Sequence, residues 1–123
     1  MKPAILAAAA LVALGLAAPA HAAGDPAAGR AVFNKCSICH TVKPGQNAIG
    51  PSLFGVVGRK SATEPGFSYS DAMKKADKTW DEATLDTYLT NPKAMVPGTK
   101  MVFPGLQKPE DRANLIAFLA TLK

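Results

Sequence analysis

The chain has 123 residues, a net charge of +5 and two cysteines, Cys36 and Cys39. That is the length of one domain, and two cysteines with only two residues between them close too small a loop to act as a structural disulfide staple. Positive charge is spread along the chain without a block of like charge, which disfavours nucleic acid as a partner and leaves docking to an acidic protein surface.

The first segment reads as an export signal. Met1-Lys2-Pro3 supplies a positive start, Ala4 to Ala18 is uncharged and apolar, and Ala20-His21-Ala22 places small residues at alternate positions for a signal peptidase. The apolar run is short and Ala-rich for a membrane span, which needs about 20 strongly apolar residues. The expectation is cleavage after Ala22, with residues 1–22 a signal peptide and residues 23–123 the working domain in the periplasm. An uncleaved anchor is the alternative.

Asp25-Pro26 is an N-cap followed by proline at the first helical position, and predicts a helix to about Lys35 with Gly29, Val32 and Phe33 on one face. From Thr41 to Phe67 the pairs Pro44-Gly45, Gly50-Pro51 and Pro65-Gly66, with Gly55 and Gly58, predict loop. A short helix is expected at about Ser70–Lys75. Asp81 caps another at about Glu82–Thr90, with Leu85, Tyr88 and Leu89 on one face, and Asn91-Pro92 stops it. Residues 92–107 read as loop. Pro109 opens the last helix, about Pro109–Leu122, in which Leu115, Phe118, Leu119 and Leu122 form an apolar stripe behind Glu110 and Asp111. No segment alternates convincingly as a strand. The fold class is therefore all-α, with three to five short helices separated by long Gly/Pro loops. Such loops need something to pack on, and a central cofactor meets that need.

Cys36-Ser37-Ile38-Cys39-His40 supplies the cofactor. C-x-x-C-H reads as c-type haem attachment: two thiols at this spacing can form thioethers to the two vinyl groups of one porphyrin, and His40 then offers an imidazole to the iron. Zinc wants four ligands, and beyond residue 22 the chain has two cysteines and one histidine. A thiol–disulfide oxidoreductase of thioredoxin type would sit near a βαβ pattern, which is missing. With His40 the one histidine after residue 22, a second imidazole ligand is excluded. Met, Lys or an open position remain, with Met73, Met95 and Met101 as candidates. Met101 lies in Pro97-Gly98-Thr99-Lys100-Met101-Val102-Phe103-Pro104, a breaker-rich loop able to press a thioether onto iron, and His/Met ligation raises the reduction potential.

Gly29…Phe33, Cys36–His40, Gly50-Pro51-Ser52-Leu53-Phe54-Gly55, Gly58-Arg59-Lys60, Pro65-Gly66-Phe67-Ser68-Tyr69, Thr79-Trp80, Asn91-Pro92-Lys93 and Pro97-Gly98-Thr99-Lys100-Met101 together resemble the class I cytochromes c, of the mitochondrial type and its soluble purple-bacterial relatives. The resemblance runs in order through the chain after residue 22. It implies the cytochrome c fold, wrapped round one covalently bound haem c, with the first and last helices crossing near Gly29. It implies His40 and Met101 as the metal ligands, the Pro51 carbonyl accepting from the His40 ring, and Arg59, Tyr69 and Trp80 holding a haem propionate. Tyr88 and Thr99 would lie on the Met101 side, and Phe103 over the haem edge. Met73 stands where the family often has asparagine, Phe67 stands where tyrosine is common, and the loop after His40 is slightly short.

The implied function is one-electron transfer rather than catalysis: a monomeric soluble carrier cycling Fe(III)/Fe(II) between respiratory or photosynthetic complexes. Lys35, Lys43, Lys93, Lys100 and Lys108 could ring an exposed haem edge and steer acidic partners, such as a bc-type complex, terminal oxidase, reaction centre, dehydrogenase or nitrogen-oxide reductase. The alternative is a haem-based sensor or peroxidase-like enzyme with an open iron site, against which the lack of a distal histidine weighs.

Overall fold

The computed structural model describes residues 3–5, 7–11, 15 and 24–123. The cleavage expected after Ala22 lies outside the described residues. Among the described residues five helices follow in order: α1 (Pro26–Phe33), α2 (Asp71–Ala76), α3 (Glu82–Thr90), α4 (Pro92–Met95) and α5 (Pro109–Ala120). Among the described residues β-pairing is limited to one isolated antiparallel bridge, Lys60 with Thr79. None of the described helices is long and apolar enough to cross a membrane.

Local chemistry sets most helix ends. The Asp25 carboxylate accepts from the Ala27 N–H at 3.0 Å, and Pro26 occupies the first turn of α1. This helix ends two residues before the expected Lys35. The N–H groups of Asn34 and Lys35 turn to the carbonyls of Ala31 and Val32, three residues back, and tighten the last turn. Ser70 caps α2 through a bond from the Met73 N–H at 3.1 Å, and Asp77 ends it in the left-handed region. Asp81 caps α3 at 2.7 Å from the Thr84 N–H. The stretch 92–107, expected as loop throughout, begins with the one-turn α4. Pro92 cannot extend α3 but fits the first position of a new helix, and the Asn91 side chain accepts from the Ala94 N–H at 3.3 Å. At its far end, α5 closes at Ala120 as the N–H groups of Thr121 and Leu122 bond to Phe118 and Leu119.

The helices bury one shared core. Phe33 from α1, Leu85, Tyr88 and Leu89 from α3, and Leu115, Ile116, Phe118 and Leu119 from α5 are buried, together with Val56, Trp80, Val96 and Leu106. Burial of each large apolar side chain is worth about 1.5–3 kcal/mol. At the crossing of α1 with α5, a side chain on Gly29 would run into the Asn114 carbonyl and Phe118 Cβ. Only glycine permits this approach, which outweighs its poor helix propensity. Phe33 and Phe118 pack across the crossing with ring centres 5.5 Å apart and planes tilted by 48°, and Arg30 lies over the Phe118 ring. The Asn114 side chain also accepts from the Asp25 N–H at 2.8 Å.

Arg112 on α5 is buried although charged. Its Nε donates to Asp86 at 2.7 Å, and its Nη1 donates to the Leu106 carbonyl at 2.7 Å and the Gln107 carbonyl at 3.2 Å. It thus fastens α3 and the 106–107 loop to the last helix. The long 41–70 loop is tied by backbone bonds: Leu53 to Thr41, Gly55 to Leu122, and Gly58 to Trp80. These ties hold the loop as one wall of a cavity whose other side is formed by α3 and α5.

Candidate cofactor site

The Cys36–His40 segment leaves α1 as a continuous turn. Cys36 N–H donates to Phe33 at 2.7 Å, and both Cys39 N–H and His40 N–H donate back to the Cys36 carbonyl, at 3.0 and 2.9 Å. The turn presents Cys36, Cys39 and His40 on the wall of a cavity of about 400 Å³. Every site residue named from the sequence borders that cavity: Pro51, Arg59, Tyr69, Trp80, Tyr88, Thr99, Met101 and Phe103 join the three. Most of the remaining wall is apolar, including Leu85, Leu89, Leu115 and Leu119 from the α3 and α5 faces.

His40 is fixed in one tautomer. Its Nδ1 lies 2.7 Å from the Pro51 carbonyl, which can only accept, so Nδ1 carries the proton and Nε2 keeps a free lone pair. Burial lowers the His40 pKa, the bond to Pro51 opposes that, and the Arg59 charge lowers it further, so the ring is neutral at pH 7. Gly50 is the floor beneath it. A side chain there would occupy the ring's own space, 2.7 Å from Nδ1. The Gly50 N–H donates to the Cys39 carbonyl at 2.8 Å, which ties the pentapeptide to its floor.

Burial raises the Cys36 thiol pKa, neighbouring Cys39 raises it further, and Lys35 opposes them. Thiols that work in disulfide exchange are shifted the other way, so the surroundings of Cys36 do not favour that chemistry.

Of the three methionine candidates, Met101 and Met73 border the cavity, while Met95 borders a separate surface groove beside Thr87 and Asn91. Met101 is distinguished by a hydrogen bond at its sulfur. Tyr88 hydroxyl donates to its sulfur at 3.8 Å, and its own N–H donates to Thr99 Oγ1 at 3.2 Å. Burial pushes the Tyr88 phenol up, against a smaller opposing effect of hydrogen bonding with Thr99, so it stays a donor. Trp80 packs on Tyr88 at 4.8 Å between ring centres.

Arg59 supplies charge to the wall. Its Nη1 donates to the Phe54 carbonyl at 3.2 Å and Glu64 Oε2 at 3.0 Å, and its Nη2 to the Ser52 carbonyl at 3.1 Å. Its Nε is buried without an acceptor among the described residues. A buried unsatisfied donor on a cavity wall calls for an anionic or carbonyl group in that cavity. The Gly50 floor, the Nε2 lone pair, the two thiols, the apolar lining and the Arg59 donor together fit a flat apolar metal macrocycle bearing carboxylates.

Residues 26–123 match the family model described as cytochrome c. The chain belongs to the cytochrome c family. Membership implies a covalently bound haem c, and the cytochrome c family is one of electron carriers, not enzymes. A cytochrome c2 from Rhodomicrobium vannielii is 62% identical over 105 residues, 85% of this chain and 84% of that protein. A cytochrome c-554 from Methylosinus trichosporium is 53% identical over 105 residues, 85% of this chain and 80% of that protein. The solved structure of cytochrome cH from Methylobacterium extorquens superposes with a TM-score of 0.76 at 47% identity, covering 80% of this chain and 99% of that one. The cytochrome c fold accounts for the helical architecture and the long Gly/Pro loops that the sequence predicted.

The sequence reading missed several groups at the site. Gly50 was named only within a motif, not as the surface under His40. Glu64, the carboxylate clasping Arg59, and Ser52, fully buried with its hydroxyl donating to the Lys43 carbonyl at 2.6 Å, were not singled out for roles. Their partners are remote in sequence or separated by turns, and no local pattern marks them.

Proposed function

We propose that this cytochrome c is an exported one-electron carrier in which Cys36 and Cys39 hold the haem by thioether bonds, while His40 Nε2 and the Met101 thioether ligate its iron. The observation that carries the reading is the convergence of four side chains on one apolar cavity, with His40 locked by Pro51 and Met101 held by Tyr88. The haem supplies the Fe(III)/Fe(II) couple. The protein's own residues keep the imidazole neutral and oriented, keep the thioether positioned, and exclude water with Leu85, Leu89, Leu115 and Leu119. Two fixed ligands leave no position for a substrate, and they limit reorganisation between oxidation states.

In this proposal Arg59 Nε, Tyr69 and Trp80 receive a propionate, and Phe103 covers the cavity edge. Residues 1–22 are removed after Ala22 and residues 23–123 work in the periplasm as a monomer. The exposed Lys35, Lys43, Lys93, Lys100 and Lys108 dock acidic faces of redox proteins such as a bc-type complex, oxidase, reaction centre or dehydrogenase. Lys35 and Lys100 border the cavity itself, which favours transfer at that edge.

The test is an optical redox titration of the purified periplasmic protein. A reversible one-electron transition, with slow binding of small iron ligands to the resting protein, supports a carrier. Rapid ligand binding to the resting state would establish an open-site sensor or peroxidase-like protein instead.

A further inference from the structure

Arg59 faces two ways. It borders the cavity, where its buried Nε awaits an acceptor, yet its Nη1 is bound to Glu64 Oε2 at 3.0 Å. Glu64 does not border the cavity, so it grips the guanidinium from outside the wall. The side chains of this pair are only 15% and 11% exposed, whereas those of the pair Lys60 with Asp77 are 66% and 79% exposed. Water and salt screen the second pair and screen the first weakly.

Glu64 is itself held. Its backbone N–H donates to the Tyr69 hydroxyl at 3.1 Å, and Tyr69 also borders the cavity. A hydroxyl that accepts this bond keeps its own proton to donate elsewhere. One residue thus orients both polar groups, Arg59 and Tyr69, on this part of the wall.

We propose that Glu64 is a positioning residue that sets the reduction potential, by holding Arg59 and cancelling part of the positive charge it presents to the cofactor. The proposal rests on the carrier reading above. Reduction adds one electron to the site and no proton. An uncompensated Arg59 favours that added charge, and a weakly screened carboxylate beside it opposes it. Glu64 therefore holds the potential below the value Arg59 alone would give. A purely structural clasp makes the opposite forecast: Glu64→Gln, nearly the same shape and still able to accept from Nη1, would leave the potential where it was.

The experiment compares midpoint potentials of the haem-loaded wild type, Glu64→Gln, Glu64→Ala, Glu64→Asp and Asp77→Asn at low and high salt. Glu64→Gln and Glu64→Ala are expected to shift the reduction equilibrium toward the reduced form by about three-fold or more, and to keep that shift at high salt. Glu64→Asp retains the charge and is expected to stay near wild type, as is Asp77→Asn, whose pair is solvent-screened. Unchanged or lowered potentials in both charge-removing variants, with haem mass and thioether band intact, would overturn the proposal. A wild type that carries no haem would instead overturn the carrier reading, so the two failures are distinguishable.

Discussion

Gly50 and His40 are in direct contact, the imidazole filling the space that any side chain at position 50 would need. Gly50→Ala must therefore displace the ring or the backbone, which costs about 1–3 kcal/mol in a tight site. The ring shift also strains the 2.7 Å bond to Pro51. The expected outcome is a lower Tm together with a weakened iron–histidine signature in resonance Raman spectra.

Met101 and Met73 border the same cavity, while Met95 does not. Met101→Ala is expected to abolish the iron–thioether charge-transfer band and lower the reduction potential. Met73→Ala and Met95→Ala are expected to keep the band. Absorption spectra of the oxidised variants check this, and a band persisting in Met101→Ala would reassign the ligand.

At the crossing of α1 with α5, two effects compete in Gly29→Ala. Helix propensity favours alanine by about 1 kcal/mol. Overlap with the Asn114 carbonyl and Phe118 Cβ opposes it, and forcing packed helices apart costs roughly 1–3 kcal/mol. The clash is with backbone, which cannot rotate away, so net destabilisation is expected in denaturant unfolding.

The Arg112–Asp86 pair is unequal: side-chain exposure is 10% for Arg112 and 51% for Asp86. Asp86→Asn keeps an acceptor in place and is expected to cost about 1 kcal/mol or less, as for exposed pairs. Arg112→Leu strands the buried Leu106 carbonyl, while water can reach the carbonyl of exposed Gln107, and is expected to cost roughly 1–3 kcal/mol, the range for one buried acceptor left unsatisfied. Urea midpoints of the two variants check the asymmetry.

Asp81 gives an acid-limb prediction. Hydrogen bonds from the Thr84 N–H and hydroxyl hold its carboxyl below the usual carboxylate range. A depressed folded-state pKa contributes stability above the unfolded value that is lost as pH falls through the folded one. The Tm difference between wild type and Asp81→Asn is expected to be flat above about pH 5 and to shift against the wild type below pH 4.

What was legible in the sequence was what is local. Asp25 and Asp81 mark helix starts because a cap acts within one turn, and Pro109 marks one because its fixed φ suits the first helical position. C-x-x-C-H marks the attachment site because all its chemistry lies in five residues. Asn91-Pro92 misled, since the same proline that stops α3 opens α4, and only the chain's later path decides whether it does. The bond of Pro51 to His40 and the roles proposed for Arg59, Tyr69 and Trp80 were available through family resemblance alone, because each depends on a partner brought near by tertiary folding. Arg112 and Glu64 had no such signal: a charged residue on a helix or in a turn reads as surface until its burial is seen.

The proposed carrier has one haem bonded to its polypeptide through Cys36 and Cys39. Intact-mass measurement of the protein, expressed with its haem-attachment machinery and kept in denaturant, tests it directly. The expected mass is that of the polypeptide plus one haem, falling to the bare polypeptide when both cysteines are replaced by alanine. A wild-type protein with the mass of its amino acids alone, or with haem that denaturant strips away, would contradict it.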